Sequence, residues 1–149
     1  MPINCTISAV LHGKGSQVFS VSPPTTVHEA IRIMAEKNVG ALVVLDGERL
    51  VGVFSERDYT RRVALPGRSP QQTPVTEALS APVISVPAAA TVEECMRLMT
   101  THRVRHLPVV DGPKLLGIVS IGDLVNWIIS AQGQEIHQLR TFITGQYPG

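Results

Sequence analysis

The sequence predicts an α/β fold of the α+β kind, built as two βαββα repeats packed about a pseudo-twofold. Two observations predict it. First, one stretch occurs twice, 65 residues apart and without a gap: Val18–Tyr59 lies over Val83–Leu124 with 17 of 42 positions identical. The identities include Thr26/Thr91, Glu29/Glu94, Met34/Met99, Asp46/Asp111, Gly52/Gly117, Ser55/Ser120 and Asp58/Asp123. Second, each copy switches between strand and helix periodicity in the same order. A unit of this size buries little surface alone, so the two copies are expected to share a core. Any site built from one copy should have a counterpart in the other. The chain divides into a first repeat (7–65), a linker (66–73), a second repeat (74–130) and a C-terminal helix and tail (131–149).

Each element has a local cause. Val18-Phe19-Ser20-Val21 alternates and reads as a short strand. Thr26 and Glu29 have the spacing of a capping box, and Val27, Ala30, Ile31 and Met34 form one helical face behind them. Thr91 and Glu94 repeat the cap, and Val92, Cys95, Met96 and Met99 repeat the face. Ala41–Leu45 is a continuous apolar run, as a strand covered on both faces requires. Asp46-Gly47 marks a hairpin turn into Leu50–Phe54, and Asp111-Gly112 does the same between Leu107–Val110 and Leu115–Val119. Helices begin after Ser55 and after Ser120, and the first ends at Pro66–Pro70. The flanks also echo: Ile7–Leu11 resembles Val75–Leu79, with a small insertion, 12–17, on the first side. Ile136, Leu139 and Ile143 mark one face of a further helix without a repeat partner.

Composition excludes several function classes. A net charge of +1 and an aromatic share of 4% are unlike a nucleic-acid binder. No apolar run approaches the roughly 20 residues of a membrane helix, and the N-terminus shows no secretory signal. The expectation is a cytoplasmic protein without a nucleic-acid or membrane partner. Cys5 and Cys95 are too few for a disulfide framework, and Cys95 replaces Ala30 as a small buried residue. His12, His28, His102, His106 and His137 are scattered, so no metal site emerges, and no nucleophile has an evident base.

The string that carries chemistry is Gly-h-h-Ser-x-x-Asp, where h is apolar. It reads Gly52-Val53-Phe54-Ser55-Glu56-Arg57-Asp58 and Gly117-Ile118-Val119-Ser120-Ile121-Gly122-Asp123. Ser-x-x-Asp at a strand-to-helix junction is by itself a capping pattern. Three features favour a ligand site. The string occurs twice at one place in the repeat, and both copies use Asp rather than the commoner Glu. Both also place a glycine where a ligand could approach the strand. A helix-terminal Ser suits phosphate. An Asp one turn in can accept from the vicinal hydroxyls of a ribose. Val53 and Phe54, or Ile118 and Val119, could wall a base. Arg57, Arg61 and Arg62 follow the first motif, and Arg105-His106 precedes a strand of the second copy. These fit an anion, although each arginine taken singly also fits a solvated surface and His106 a half-buried packing residue. The second copy lacks the arginines after its Asp and the first lacks the Arg-His pair. The two clefts are therefore expected to differ, each borrowing basic residues from the other copy.

With these residues the chain resembles a tandem cystathionine-β-synthase (CBS) domain pair, or Bateman module. The strings Val53–Tyr59 and Val104–Val110 resemble small stand-alone bacterial members and their plant organellar relatives. The resemblance implies a non-catalytic regulatory unit that binds an adenosine ligand: AMP, ADP, ATP, S-adenosylmethionine or NAD(H). It implies a disk-like homodimer that transmits binding to a regulated protein. By motif position it gives ribose contacts to Asp58 and Asp123 and ribose or phosphate contacts to Ser55 and Ser120. It puts the base near backbone at Phe19 or Ile84 and near Ser80. The alternative is a structural or oligomerisation module whose clefts have degenerated.

Overall fold

The computed structural model describes residues 5–14, 18–79 and 83–130. Ser80 and the helix expected over Ile136, Leu139 and Ile143 lie outside the described residues. Helix α1 (Ile7–Lys14) comes first, then β1 (Ser20–Val21), α2 (Val27–Lys37), β2 (Ala41–Asp46), β3 (Arg49–Ser55) and α3 (Glu56–Tyr59). The second half follows with β4 (Val86–Pro87), α4 (Val92–His102), β5 (His106–Asp111), β6 (Lys114–Ser120) and a helix over 121–130, here α5. Each half forms one three-stranded sheet, in the orders β1-β2-β3 and β4-β5-β6. The outer short strand runs parallel to its neighbour and the hairpin is antiparallel. The registers repeat residue for residue: Ala41 faces Ser55 as His106 faces Ser120, and both hairpins slip at the same place, after Val44 and after Val109. Gly47 (φ +65) and Gly112 (φ +59) make the hairpin turns, a conformation that penalises other residues.

The caps are those the sequence predicts, with one difference. Thr91 accepts from Glu94 N (3.0 Å) and Glu94 Oε1 accepts from Thr91 N (3.2 Å), a full capping box. Thr26 accepts from Glu29 N (3.2 Å), but the Glu29 carboxylate turns instead to Arg32 (2.6 and 2.9 Å). Val27, Ala30 and Met34 are buried on α2, and Val92, Cys95 and Met99 on α4.

The expected shared core is corrected to two cores, each completed by the flank that precedes the other repeat. Ile7 and Val10 of α1 pack with Val92, Cys95, Leu107 and Val119. Val75 and Ala78, in a single 3-10 turn (Val75–Ala78), pack with Val27, Met34, Leu42 and Phe54. Backbone hydrogen bonds fasten both exchanges in the same way. Ile7 N donates to Ala90 O (2.8 Å) and Val92 N to Cys5 O (2.8 Å); Val75 N donates to Thr25 O (2.7 Å) and Val27 N to Thr73 O (2.9 Å). Each flank thus satisfies an N–H at the open start of the other repeat's helix. A small unit gains the missing part of its core without merging with its twin. The sheets themselves meet through β3 and β6.

Candidate functional site

Both motif aspartates sit in the first turn of a helix and bond back to the serine that precedes it. Asp58 Oδ2 accepts from Ser55 N (2.9 Å) and from Ser55 Oγ (3.0 Å), while Ser55 Oγ accepts from Asp58 N (3.2 Å). Asp123 Oδ2 accepts from Ser120 N (2.8 Å), and Ser120 Oγ accepts from Asp123 N (3.0 Å). The capping reading is therefore realised in both repeats. It leaves room for ligand chemistry, because a carboxylate has acceptor sites on both oxygens.

The glycines of the motif are corrected. A Cβ on Gly52 would lie 2.9 Å from Leu79 Cδ1, and one on Gly117 would lie 2.9 Å from Leu11 Cδ2. The missing side chains admit the exchanged flanks, with Leu79 and Leu11 at matching places, rather than a ligand. Of the residues expected to wall a base, Val53 lines the cleft, whereas Phe54 points the other way into the first core. Strand alternation separates them.

One cleft of about 620 Å³ lies between the repeats. The first repeat contributes Gly40, Val53, Ser55, Asp58, Arg57, Arg61 and Arg62. The second contributes Ile84, Arg103, Arg105, His106 and Pro108. After α3 the chain continues as a π-type turn (Thr60–Ala64), with Leu65 N donating to Thr60 O (3.0 Å). That widened turn carries Arg61 and Arg62. Arg62 Nε lies 3.8 Å from Asp58 Oδ1. Arg57 Nη1 donates to Arg103 O (3.3 Å), tying the repeats together across the cleft.

His106 enters the same cleft. A Cβ on Gly40 would lie 3.0 Å from Glu56 Oε1, a tight contact, and 3.5 Å from His106 Nε2, an ordinary one, so the ring packs beside Gly40 across the repeat boundary without depending on the bare glycine. Burial holds the His106 pKa below its ordinary value; Lys14 and Arg105 push the same way, against Asp123 and Asp58. The ring is neutral at neutral pH.

The second motif has a different neighbour. Lys14 Nζ, at the end of α1, donates to Asp123 Oδ2 (2.6 Å) and to Ile118 O (2.9 Å). Burial alone would raise the Asp123 pKa; Lys14 and the Ser120 groups outweigh it and hold it below the ordinary value. The insertion accounts for the lysine at this motif. Leu11 to Val18 is seven residues and Leu79 to Val83 four, so α1 has room for a last turn that the 3-10 segment lacks.

The structure thus brings Ser55, Arg57, Asp58, Arg61, Arg62, Ile84, Arg105 and His106 to one cleft. Ser120 and Asp123 stand apart with Lys14. Phe19 does not line the cleft: its ring packs on the first core with Lys37 Nζ 5.6 Å above it, and its carbonyl accepts from Val43 N (3.2 Å). Sequence reasoning missed Lys14 and Arg103. The insertion was a signal for the first; the second follows from a backbone conformation that composition does not carry. Burial and Glu94 push the Cys95 thiol up to about 11, as a packing residue requires. Among the described residues no group of His, Cys, Asp and Glu could hold a metal, and no helix is long and apolar enough to cross a membrane.

The profile of the CBS domain family matches residues 15–65 and 75–130. The mitochondrial CBS domain-containing protein CBSX3 of Arabidopsis thaliana is 35% identical over 95% of this chain and 73% of its own. A CBS-domain protein of Burkholderia ambifaria MC40-6, described as a candidate signal-transduction protein, superposes with a TM-score of 0.80 at 45% identity, over 85% of this chain and 96% of its own. The CBS domain protein PAE2072 of Pyrobaculum aerophilum, solved in complex with AMP, superposes with a TM-score of 0.69 at 29% identity, over 79% of this chain and 88% of its own. The chain belongs to the CBS domain family and carries two such domains in tandem.

Proposed function

We propose that this tandem CBS protein is a non-catalytic regulatory unit that binds one adenine nucleotide per chain in the composite cleft. AMP, ADP and ATP are the primary candidates, with NAD(H) as a larger one. The observation that carries the reading is the meeting of Asp58 and Ser55 from one repeat with Arg105 and Ile84 from the other. Asp58 supplies ribose acceptors, the arginines phosphate donors, and Val53 with Ile84 an apolar wall for the base. The AMP complex of the Pyrobaculum relative supports the ligand class. Lys14 on Asp123 supports a single occupied site. Binding between the repeats lets a ligand act on a regulated protein, because it favours whichever arrangement of the halves it fits better.

The unit works as a homodimer. Ile129 is 62% exposed and Val125 40% exposed on α5, beside a shallow groove lined by Met96 and Ile128. Light scattering at tens of micromolar tests this, and a monomer would count against it. The ligand reading is tested by calorimetric titration with adenosine, AMP, ATP and NADH, alongside thermal melting, since a ligand of the native state raises its stability. The expected result is about one nucleotide per chain and much weaker binding of adenosine. Adenosine bound as tightly as AMP would reduce the arginines to a solvated basic face. The structural-module reading would then stand.

A further inference from the structure

Arg103 is the residue of the cleft whose backbone is strained. It caps α4 at φ +55, ψ +43, in the left-handed region. Among the described residues only Asn38 shares that conformation without being glycine, at the same place in the first repeat. A short amide side chain eases the left-handed conformation; an arginine lacks that help. The difference tracks the cleft. Arg103 lines it and offers its carbonyl to Arg57, whereas Asn38 does not line it. Strained backbone of this kind is characteristic of ligand clamps.

The charge count points the same way. Arg57, Arg61, Arg62, Arg103 and Arg105 line the cleft against only two carboxylates, Glu56 and Asp58, a surplus of three positive charges. Arg62 is the arginine beside Asp58 (3.8 Å). The four others exceed what one phosphate uses, because a terminal phosphate presents three oxygens and a guanidinium fork takes two.

We propose that the cleft prefers a nucleoside di- or triphosphate to the monophosphate, and that Arg103 is the specificity-determining residue that reads the phosphates beyond the first. The proposal rests on the nucleotide reading of the cleft and narrows it. It also explains why an arginine stands where the first repeat uses asparagine: contact with the ligand repays a conformation that the free protein would be better without.

The test is calorimetric titration of AMP, ADP and ATP, without divalent cations, into the wild type and Arg103→Asn. The variant installs the residue that the first repeat carries at this place in the same backbone conformation, so it should fold and its melting temperature should rise slightly. In the wild type ATP should bind at least about tenfold more tightly than AMP, the worth of one or two charge-assisted contacts. In Arg103→Asn that ratio should fall to about threefold or less while AMP affinity stays within about twofold. Equal affinities for AMP and ATP in the wild type would overturn the polyphosphate preference and leave the nucleotide reading standing. Failure of all three nucleotides to bind would overturn both. A variant that melts higher yet keeps the full ATP preference would show that Arg103 is only a helix cap.

Discussion

In the first repeat Asp58 faces a cleft with five arginines; in the second, Asp123 meets one lysine from its own chain. The backbone around the two is the same, with matching strand registers, matching Ser–Asp caps and matching leucines over the motif glycines. The difference comes from outside the motif. Arg57 lies within the first motif and Arg61 and Arg62 follow it, Arg105 and His106 take the places of Gly40 and Ala41, and the insertion before Val18 carries Lys14. Duplication produced two equivalent frames, and a few charged side chains made one an open cationic cleft and the other a closed ion pair. A motif therefore reports where a site can be, and its neighbours decide whether one is there.

The largest effect tests the exchange of flanks that both halves share. Ile7 is fully buried, and Ile7→Ala should cost about 2–5 kcal/mol, the usual range for a large core truncation. The loss should be felt in the second repeat. Hydrogen exchange should speed up on β5 and β6 more than on β2 and β3. Val75→Ala should do the reverse. Loss of protection in the repeat nearer in sequence would refute the exchange.

Next in size is the contrast between the two aspartates. Asp58→Ala should weaken nucleotide binding roughly tenfold or more, since hydrogen bonds to a charged group are worth about 1.5–3 kcal/mol. Asp123→Ala should change affinity by less than about threefold, as it lies outside the cleft and its Oδ2 pairs with Lys14. Each variant also loses a cap, so the melting temperatures of both should fall by similar amounts. Equal losses of affinity would mean that both motifs bind, and the asymmetry argued from the lysine would be void.

Much of this was legible in sequence, and the limits have physical causes. The caps at Thr26 and Thr91, the Asp-Gly hairpins and the two apolar faces depend on residues a few positions apart, and local periodicity reports them. The pairing of Ile7 with Ala90 does not, because it joins distant residues and the echo between Ile7–Leu11 and Val75–Leu79 is only a few residues long. Gly52 reads in sequence as a place for ligand approach, and only the position of Leu79, distant in the chain, shows that it serves close packing. The basic residues of the cleft were visible, and so was their division between the repeats, but not that they gather at the first motif while the second stands apart with Lys14. Arg103 was hidden because a left-handed φ is a property of the backbone.

Lys14 gives a smaller effect. The ion pair is partly exposed, so Lys14→Met should cost no more than about 1 kcal/mol at neutral pH. The folded Asp123 titrates below its ordinary 3.8. Its contribution is fully present above that value and is lost as pH falls through the folded one. Urea unfolding should therefore separate wild type and variant at pH 7 and bring them together in strong acid. A gap that persists in acid would assign the loss to packing of the lysine stem. The same variant sharpens the comparison by occupancy: calorimetric stoichiometry should stay near one nucleotide per chain, because freeing Asp123 supplies no cation for the phosphates.

The smallest effect belongs to His106, which sits between the two sites and senses Asp58, Asp123, Lys14 and Arg105 at once. Its folded value lies below the ordinary 6.5, so the unfolded chain binds a proton first as pH falls. Stability is fully present above 6.5 and declines below it until the folded value is passed, with a slope of at most about 1.4 kcal/mol per pH unit. Nucleotide binding should respond in the opposite sense, because a protonated ring adds a positive charge to the cleft and favours the phosphates. Across the mildly acidic range the free protein should melt lower while its affinity for ATP rises. His106→Gln should flatten both trends together. If the variant flattened the melting curve and left the affinity trend intact, the ring would be a packing residue at the repeat boundary, and the cationic character of the cleft would rest on the arginines alone.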